Sequence, residues 1–189
     1  MKTAVIIPVK SFSKSKSRLN LSTSNVENLC KIMLDEILQV VTETKSIDDI
    51  ILVSKDESAF GIGKKFNCIE IVDDQESGVN NAVSLANEFL TEHDYDCSVV
   101  LPQDIPLISP HDLDSLIAFY QNKKNAIIVP SRHFDGTNAL VRMPIPQMKT
   151  RYDEGSYRFQ IESAKKVDVK ISIGLIYRLM LDIDNMKDL

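Results

Sequence analysis

Two groups of side chains stand out for what they could do to a phosphate. From Pro8 to Leu19 the sequence reads Pro8-Val9-Lys10-Ser11-Phe12-Ser13-Lys14-Ser15-Lys16-Ser17-Arg18-Leu19, with four cations among hydroxyls and no acid between them. Cations offset the charge of a polyphosphate, while hydroxyl and amide donors fix its oxygens. The glycines and the Gly-Lys-Ser/Thr ending of a P-loop are missing, and a solvated basic loop is the plainer alternative. The second group starts with Asp104, in Leu101-Pro102-Gln103-Asp104-Ile105-Pro106-Leu107, where two prolines fix the backbone around one carboxylate. Magnesium takes one or two carboxylates together with substrate phosphates, so Asp104 is a candidate Mg2+ ligand. An acid that merely ends a turn is the alternative. In the tail, Asp182 and Asp184 share a side if the segment is extended. They could supply a second metal carboxylate or cap a helix, and the sequence does not choose.

Two further segments could receive an anion. In Gly136-Thr137-Asn138-Ala139-Leu140, a glycine precedes two hydrogen-bonding side chains and a return to apolar residues. Glu154-Gly155-Ser156-Tyr157 reads as a turn entering a helix, with Ser156 as N-cap and helix amides open to an anion. Either could be an ordinary turn or cap, although Arg151 and Arg158 flank the second. His93, His111 and His133 are isolated and read as surface or loop residues. Cys30, Cys68 and Cys97 are few, distant and set among apolar residues, which predicts reduced thiols and neither a disulfide framework nor a zinc site.

These residues need a frame. A chain of 189 residues, 43% hydrophobic, fits one domain spanning 1–189 with one sizeable core. Strands are expected at Val5–Val9, Ile50–Val53, Cys68–Val72, Ser98–Leu101 and Ala126–Val129. Helical spacing marks about 25–43, then a run from Val79 to Leu90, and Ser109-Pro110 opens another helix. Buried Val/Ile runs alternating with helices predict an α/β fold, a three-layer domain with a mostly parallel sheet covered on both faces. Ligands of such sheets sit beyond the carboxyl ends of the strands. The segments 10–18, 76–80, 103–106 and 131–138 all fall there and all are polar. A formal net charge of −5 argues against a nucleic-acid partner, and the apolar runs are too short to span a membrane. The expected location is cytoplasmic.

Taken in order, the segments resemble the 2-phospho-L-lactate guanylyltransferase family of deazaflavin coenzyme biosynthesis. The resemblance rests on Ile7-Pro8-Val9-Lys10, Ser15-Lys16-Ser17-Arg18-Leu19, Gly78-Val79-Asn80-Asn81-Ala82-Val83, Leu101–Leu107, Gly136–Leu140, Gly155-Ser156-Tyr157 and Leu181-Asp182-Ile183-Asp184. It implies a nucleotide-diphosphosugar-transferase-like domain, GTP and magnesium. The acceptor it implies is 2-phospho-L-lactate or, in related members, phosphoenolpyruvate or 3-phosphoglycerate. On that basis Lys10, Lys16 and Arg18 face the triphosphate and Pro8 also contacts the nucleotide, with Lys16, Arg18 and Asp104 as the catalytic set. Gly78 and Asn80 go to the nucleoside, and Thr137, Asn138 and Ser156 to the acceptor. Asp104 with Asp182 or Asp184 would hold the metal. Two departures stand out. Members often show Gly-Pro-Gly-Ser where this chain has Asp153-Glu154-Gly155-Ser156, and a His where it has Gln160. Two acids beside an anionic acceptor would repel it. The competing readings are a same-fold nucleotidyltransferase for a sugar phosphate or molybdenum cofactor, and a non-catalytic GTP-binding module. A homodimer is compatible with the sequence.

Overall fold

The computed structural model describes residues 1–16, 19–119, 125–143, 145, 148–152 and 155–188. A seven-stranded sheet forms its centre. β1 (Thr3–Pro8), β2 (Asp49–Ser54) and β3 (Ile69–Val72) run parallel with β4 (Cys97–Val100). β5 (Asn125–Pro130), β6 (Thr137–Met143) and β7 (Lys170–Ile173) complete the order β3-β2-β1-β4-β6-β5-β7. The sheet as a whole is mostly parallel, as expected, and β6 lies antiparallel between β4 and β5. The reason is local. The loop 131–136 is too short for the crossover that a parallel neighbour requires, so β5 and β6 form a hairpin.

Side-chain alternation sorts the core onto two faces. Val5, Ile7, Leu52, Val99, Ile127 and Val141 pack beneath α1 (Thr23–Thr42) and α4 (Pro110–Ala118), with α2 (Glu57–Gly63) beside them. Ala4, Ile6, Val53, Val100, Ile128 and Leu140 pack beneath α3 (Val79–Glu92) and α5 (Ser156–Lys166). The helix expected at about 25–43 is α1, but its buried stripe is Val26, Cys30, Met33, Leu34, Ile37, Leu38 and Val41. Of the residues whose spacing marked it, Met33, Ile37 and Val41 are buried, Leu29 and Val40 are partly buried and Ile32 is exposed. The opening of α4 also works, with Ser109 and Asp112 bonded through both the Ser109 amide (2.9 Å) and its hydroxyl (2.7 Å). At α5 the cap is Gly155, at φ 73°, and Ser156 is the first helical residue instead of the expected N-cap. All three cysteines are free. Among the described residues no helix is long and apolar enough to cross a membrane.

β1 sits between two parallel neighbours reached in opposite directions, so the crevice at the carboxyl ends of β1 and β4 is the switch point of the sheet. The loops after β1, β3, β4 and β5 and the start of antiparallel β6 all reach this edge.

Candidate active site

The loop after β1 is pinned at both shoulders. Phe12, 1% exposed, anchors a 3-10 turn (Phe12–Lys14) in the core, and Leu19 is fully buried beyond it. The Phe12 amide donates to Asp56 Oδ2 (2.9 Å) and the Ser11 amide to Glu76 Oε1 (2.5 Å), while Lys14 Nζ pairs with Glu76 Oε2 (2.7 Å). Burial works against the Glu76 charge, but Lys14 and Ser11 hold its carboxyl down at about 2. Lys10 is exposed at the mouth of the loop. Arg18, Asp153 and Glu154 lie outside the described residues.

From this loop Lys16, with φ 49°, extends across to the loop after β4. Its ammonium is bonded to Asp104 and to Asp184 Oδ1 (2.9 Å), and its side chain is 10% exposed. Burial pulls against the ammonium's charge, yet Asp104 and Asp184 outweigh it and hold Lys16 above the ordinary lysine value. The Ile183 amide donates to the Asp104 carbonyl (3.0 Å), stitching the tail to the β4 loop. Ile105 and Ile183 turn into the core, and this leaves the flanking acids at the surface of the crevice. Asp182 is turned to Asn138, whose Nδ2 donates to its Oδ1 (3.1 Å). Burial, then the charges of Asp184 and Asp104, raise the Asp182 carboxyl against that hydrogen bond.

The two hydroxyls expected to face the acceptor meet. Ser156 Oγ donates to Thr137 Oγ1 (3.1 Å), and both residues are buried. Strict alternation from Ala139 and Val141 would send Thr137 to the α1 face. A register shift at Val129/Pro130 instead pairs Pro130 with Thr137 and leaves Asn138 as the extra residue. The bulge thus aims Thr137 at α5 and Asn138 at the tail. Gly78, at φ 111°, caps α3 without a side chain. Asn80 accepts the Tyr152 amide (2.8 Å), and Gln160, fully buried, donates from Nε2 to the Arg151 carbonyl (2.9 Å). Those two side chains strap the segment 151–152 between α3 and α5, so in this chain Gln160 serves the backbone.

Sequence reasoning missed part of the wall. A cleft beside Asp182 and Asp184 is lined by Ser131, Arg132, His133, Asp135, Asn185 and Asp188 as well. Arg132 pairs with Asp188, its Nε lies 3.3 Å from His133 Nε2, and the Asp188 carboxylate also accepts the Asp184 and Asn185 amides at 2.9 and 2.8 Å. The signal was the position of 131–138 after a strand end, since a lone His or Arg carries none. Among the described residues no three His, Cys, Asp or Glu side chains form a ready metal cluster. Asp104 and Asp184 nonetheless converge on one cationic centre, a donor set that suits a hard divalent ion.

The profile of the family described as "Guanylyl transferase CofC like" matches residues 3–189. A phosphoenolpyruvate guanylyltransferase of Conexibacter woesei is 29% identical over 192 residues, covering 100% of this chain and 86% of that protein. A 2-phospho-L-lactate guanylyltransferase of Methanocaldococcus jannaschii is 31% identical over 193 residues, covering 100% and 81%. Among solved structures, a nucleotidyl transferase from Methanothermobacter superposes with TM-score 0.68 at 11% identity, covering 99% of this chain and 94% of that one. The 4-diphosphocytidyl-2C-methyl-D-erythritol synthase of Anaerococcus prevotii superposes with TM-score 0.64 at 14% identity, covering 99% and 92%. With its basic loop, its strand-end aspartate and its tail acids gathered at one crevice, the chain belongs to the CofC-like guanylyl transferase family.

Proposed function

We propose that this enzyme joins GMP from GTP to the phosphate of a small phosphorylated carboxylic acid, releasing pyrophosphate, with 2-phospho-L-lactate, phosphoenolpyruvate and 3-phosphoglycerate as the acceptors to test. The observation that carries the reading is the meeting of Lys16 with Asp104 and Asp184 at the switch-point crevice, next to the Thr137–Ser156 pair. An acceptor phosphate is dianionic near neutral pH and can attack the α-phosphorus without a protein base. What remains for the protein is to align two anions and to neutralise charge on the leaving pyrophosphate. Lys10, Lys16 and Arg18 take the triphosphate, and Gly78 and Asn80 border the nucleoside at the first turn of α3. Thr137 donates to the acceptor, and Ser156 does so by turning its proton away from Thr137 Oγ1. Arg132 and His133 stand in the neighbouring cleft, and Asn138 keeps Asp182 oriented. Asp104 and Asp184 would hold Mg2+, which when bound lends positive charge to the phosphates.

The test is pyrophosphate release with GTP, magnesium and each acid in turn. Release that needs both GTP and one phosphorylated acid is expected. Release with a sugar phosphate instead, or none with any acceptor, would replace this reading with the same-fold or non-catalytic alternative. Thr137→Val and Ser156→Ala should raise the acceptor's KM about tenfold or more and leave that of GTP nearly unchanged, because each removes a donor to a charged group. Equal effects on both substrates would move the acceptor elsewhere.

A further inference from the structure

We propose that the Lys16 ammonium and the divalent cation compete for one position between Asp104 and Asp184, so that loading the cation transfers Lys16 from these carboxylates to the nucleotide's phosphates. The inference rests on the metal reading above and extends it to the lysine. Two carboxylates from segments far apart in sequence meet on a single ammonium, whose side chain is almost fully enclosed. A divalent ion needs the same oxygens, at about 2.0–2.1 Å for magnesium. An ammonium and a divalent ion cannot share those oxygens at hydrogen-bond range without strong mutual repulsion. One must leave, and Lys16 is built to move. Its flexible four-carbon stem carries a compact charge, and the loop behind it stays fixed by Phe12 in the core and by Glu76 on the Ser11 amide.

The geometry also explains why the exchange needs the nucleotide. Freed from both carboxylates, Lys16 would be a nearly enclosed cation with no counter-charge, a costly state. A triphosphate supplies that counter-charge at the moment Asp104 and Asp184 turn to the metal. The protein alone should therefore hold a divalent ion poorly, and the ion and GTP should load together.

The experiment titrates Mn2+ against protein without nucleotide, following free Mn2+ by electron paramagnetic resonance. It compares wild type, Asp104→Asn, Lys16→Met, Lys16→Gln and Lys16→Met/Asp104→Asn. The lysine variants should bind Mn2+ about ten- to hundredfold more tightly than wild type, and the added Asp104→Asn should abolish the gain. As a second readout, magnesium should raise the Tm of Lys16→Met, where two carboxylates face each other unshielded, and leave that of wild type unchanged. If both lysine variants bind Mn2+ as wild type does while Asp104→Asn weakens it, the exchange is overturned and the metal site stands. If Asp104→Asn has no effect on Mn2+ in either background, the metal site itself falls. Pyrophosphate release by the wild type tests the reaction separately.

Discussion

Glu76 shows how one side chain sets the shape of the loop after β1. Its carboxylate is shared between the Ser11 amide and Lys14, and its folded value of about 2 lies below the ordinary 4.5. A depressed acid contributes stability above its unfolded value and loses it as pH falls toward the folded one. Glu76→Gln should therefore lower the Tm at neutral pH by roughly 2–4 °C, about 1 kcal/mol once screening at the exposed lysine is counted. The gap to wild type should close between about pH 4.5 and pH 2. A gap constant with pH, followed by calorimetry, would mean that the charge does no work there. Asp104 was legible in sequence because prolines and a buried strand fix where it must stand. Glu76 was not, although 76–80 was marked as a strand-end loop, because nothing local tells an acid that its partner lies in another loop. Arg132 and His133 went unread for the same reason.

At the level of elements, glycines divide into those that need their backbone and those that do not. Gly78 occupies φ 111°, ψ 173°, with no atom within 4 Å of where a Cβ would go. Its role is conformational, and Gly78→Ala should cost about 1–3 kcal/mol, or several degrees of Tm. Gly61, inside α2 and equally open, provides the control. Gly61→Ala should be neutral or raise the Tm by a few degrees, because alanine favours the helix by about 0.5–1 kcal/mol. Equal losses at both positions would show that space and not φ governs them. The five strands with continuous Val/Ile runs were readable, whereas β7 and α2 were not. β7 has only a four-residue Lys-Ile-Ser-Ile run, and α2 carries two glycines in seven residues. β6 was not read as a strand, although Gly136–Leu140 was read as a return to apolar residues; the shortness of the loop 131–136 is what pairs it with β5 as a hairpin. Its bulge, which aims Thr137 and Asn138 apart, comes from tertiary demand.

Across the whole molecule, the face of the sheet under α3 and α5 hides a charge that no pattern announced. Arg142 on β6 is fully buried, with Nη2 bonded to Asn87 Oδ1 (2.7 Å) and Ser98 Oγ (2.9 Å). Among the described residues its Nε and Nη1 have no partner, and neither has the Tyr152 hydroxyl. Replacing a buried charge by an apolar side chain of similar length is often neutral or stabilising. Arg142→Met should then hold or raise the Tm, and Arg142→Ala should lower it through the cavity it leaves. A marked fall with methionine would indicate that water or an anion completes the guanidinium's shell. The strand and helix order was readable because each element carries its own period, but the pairing partners of a sheet are set by topology. The crevice gives the clearest case. Lys16 meets Asp104 across 88 residues of sequence and Asp184 across 168. Contacts of such separation form only after long loops have closed, whereas the β5–β6 hairpin can form early and alone. During refolding from denaturant, helical signal should return first and pyrophosphate release last, so that turnover in this protein serves as a clock for the final step of its assembly.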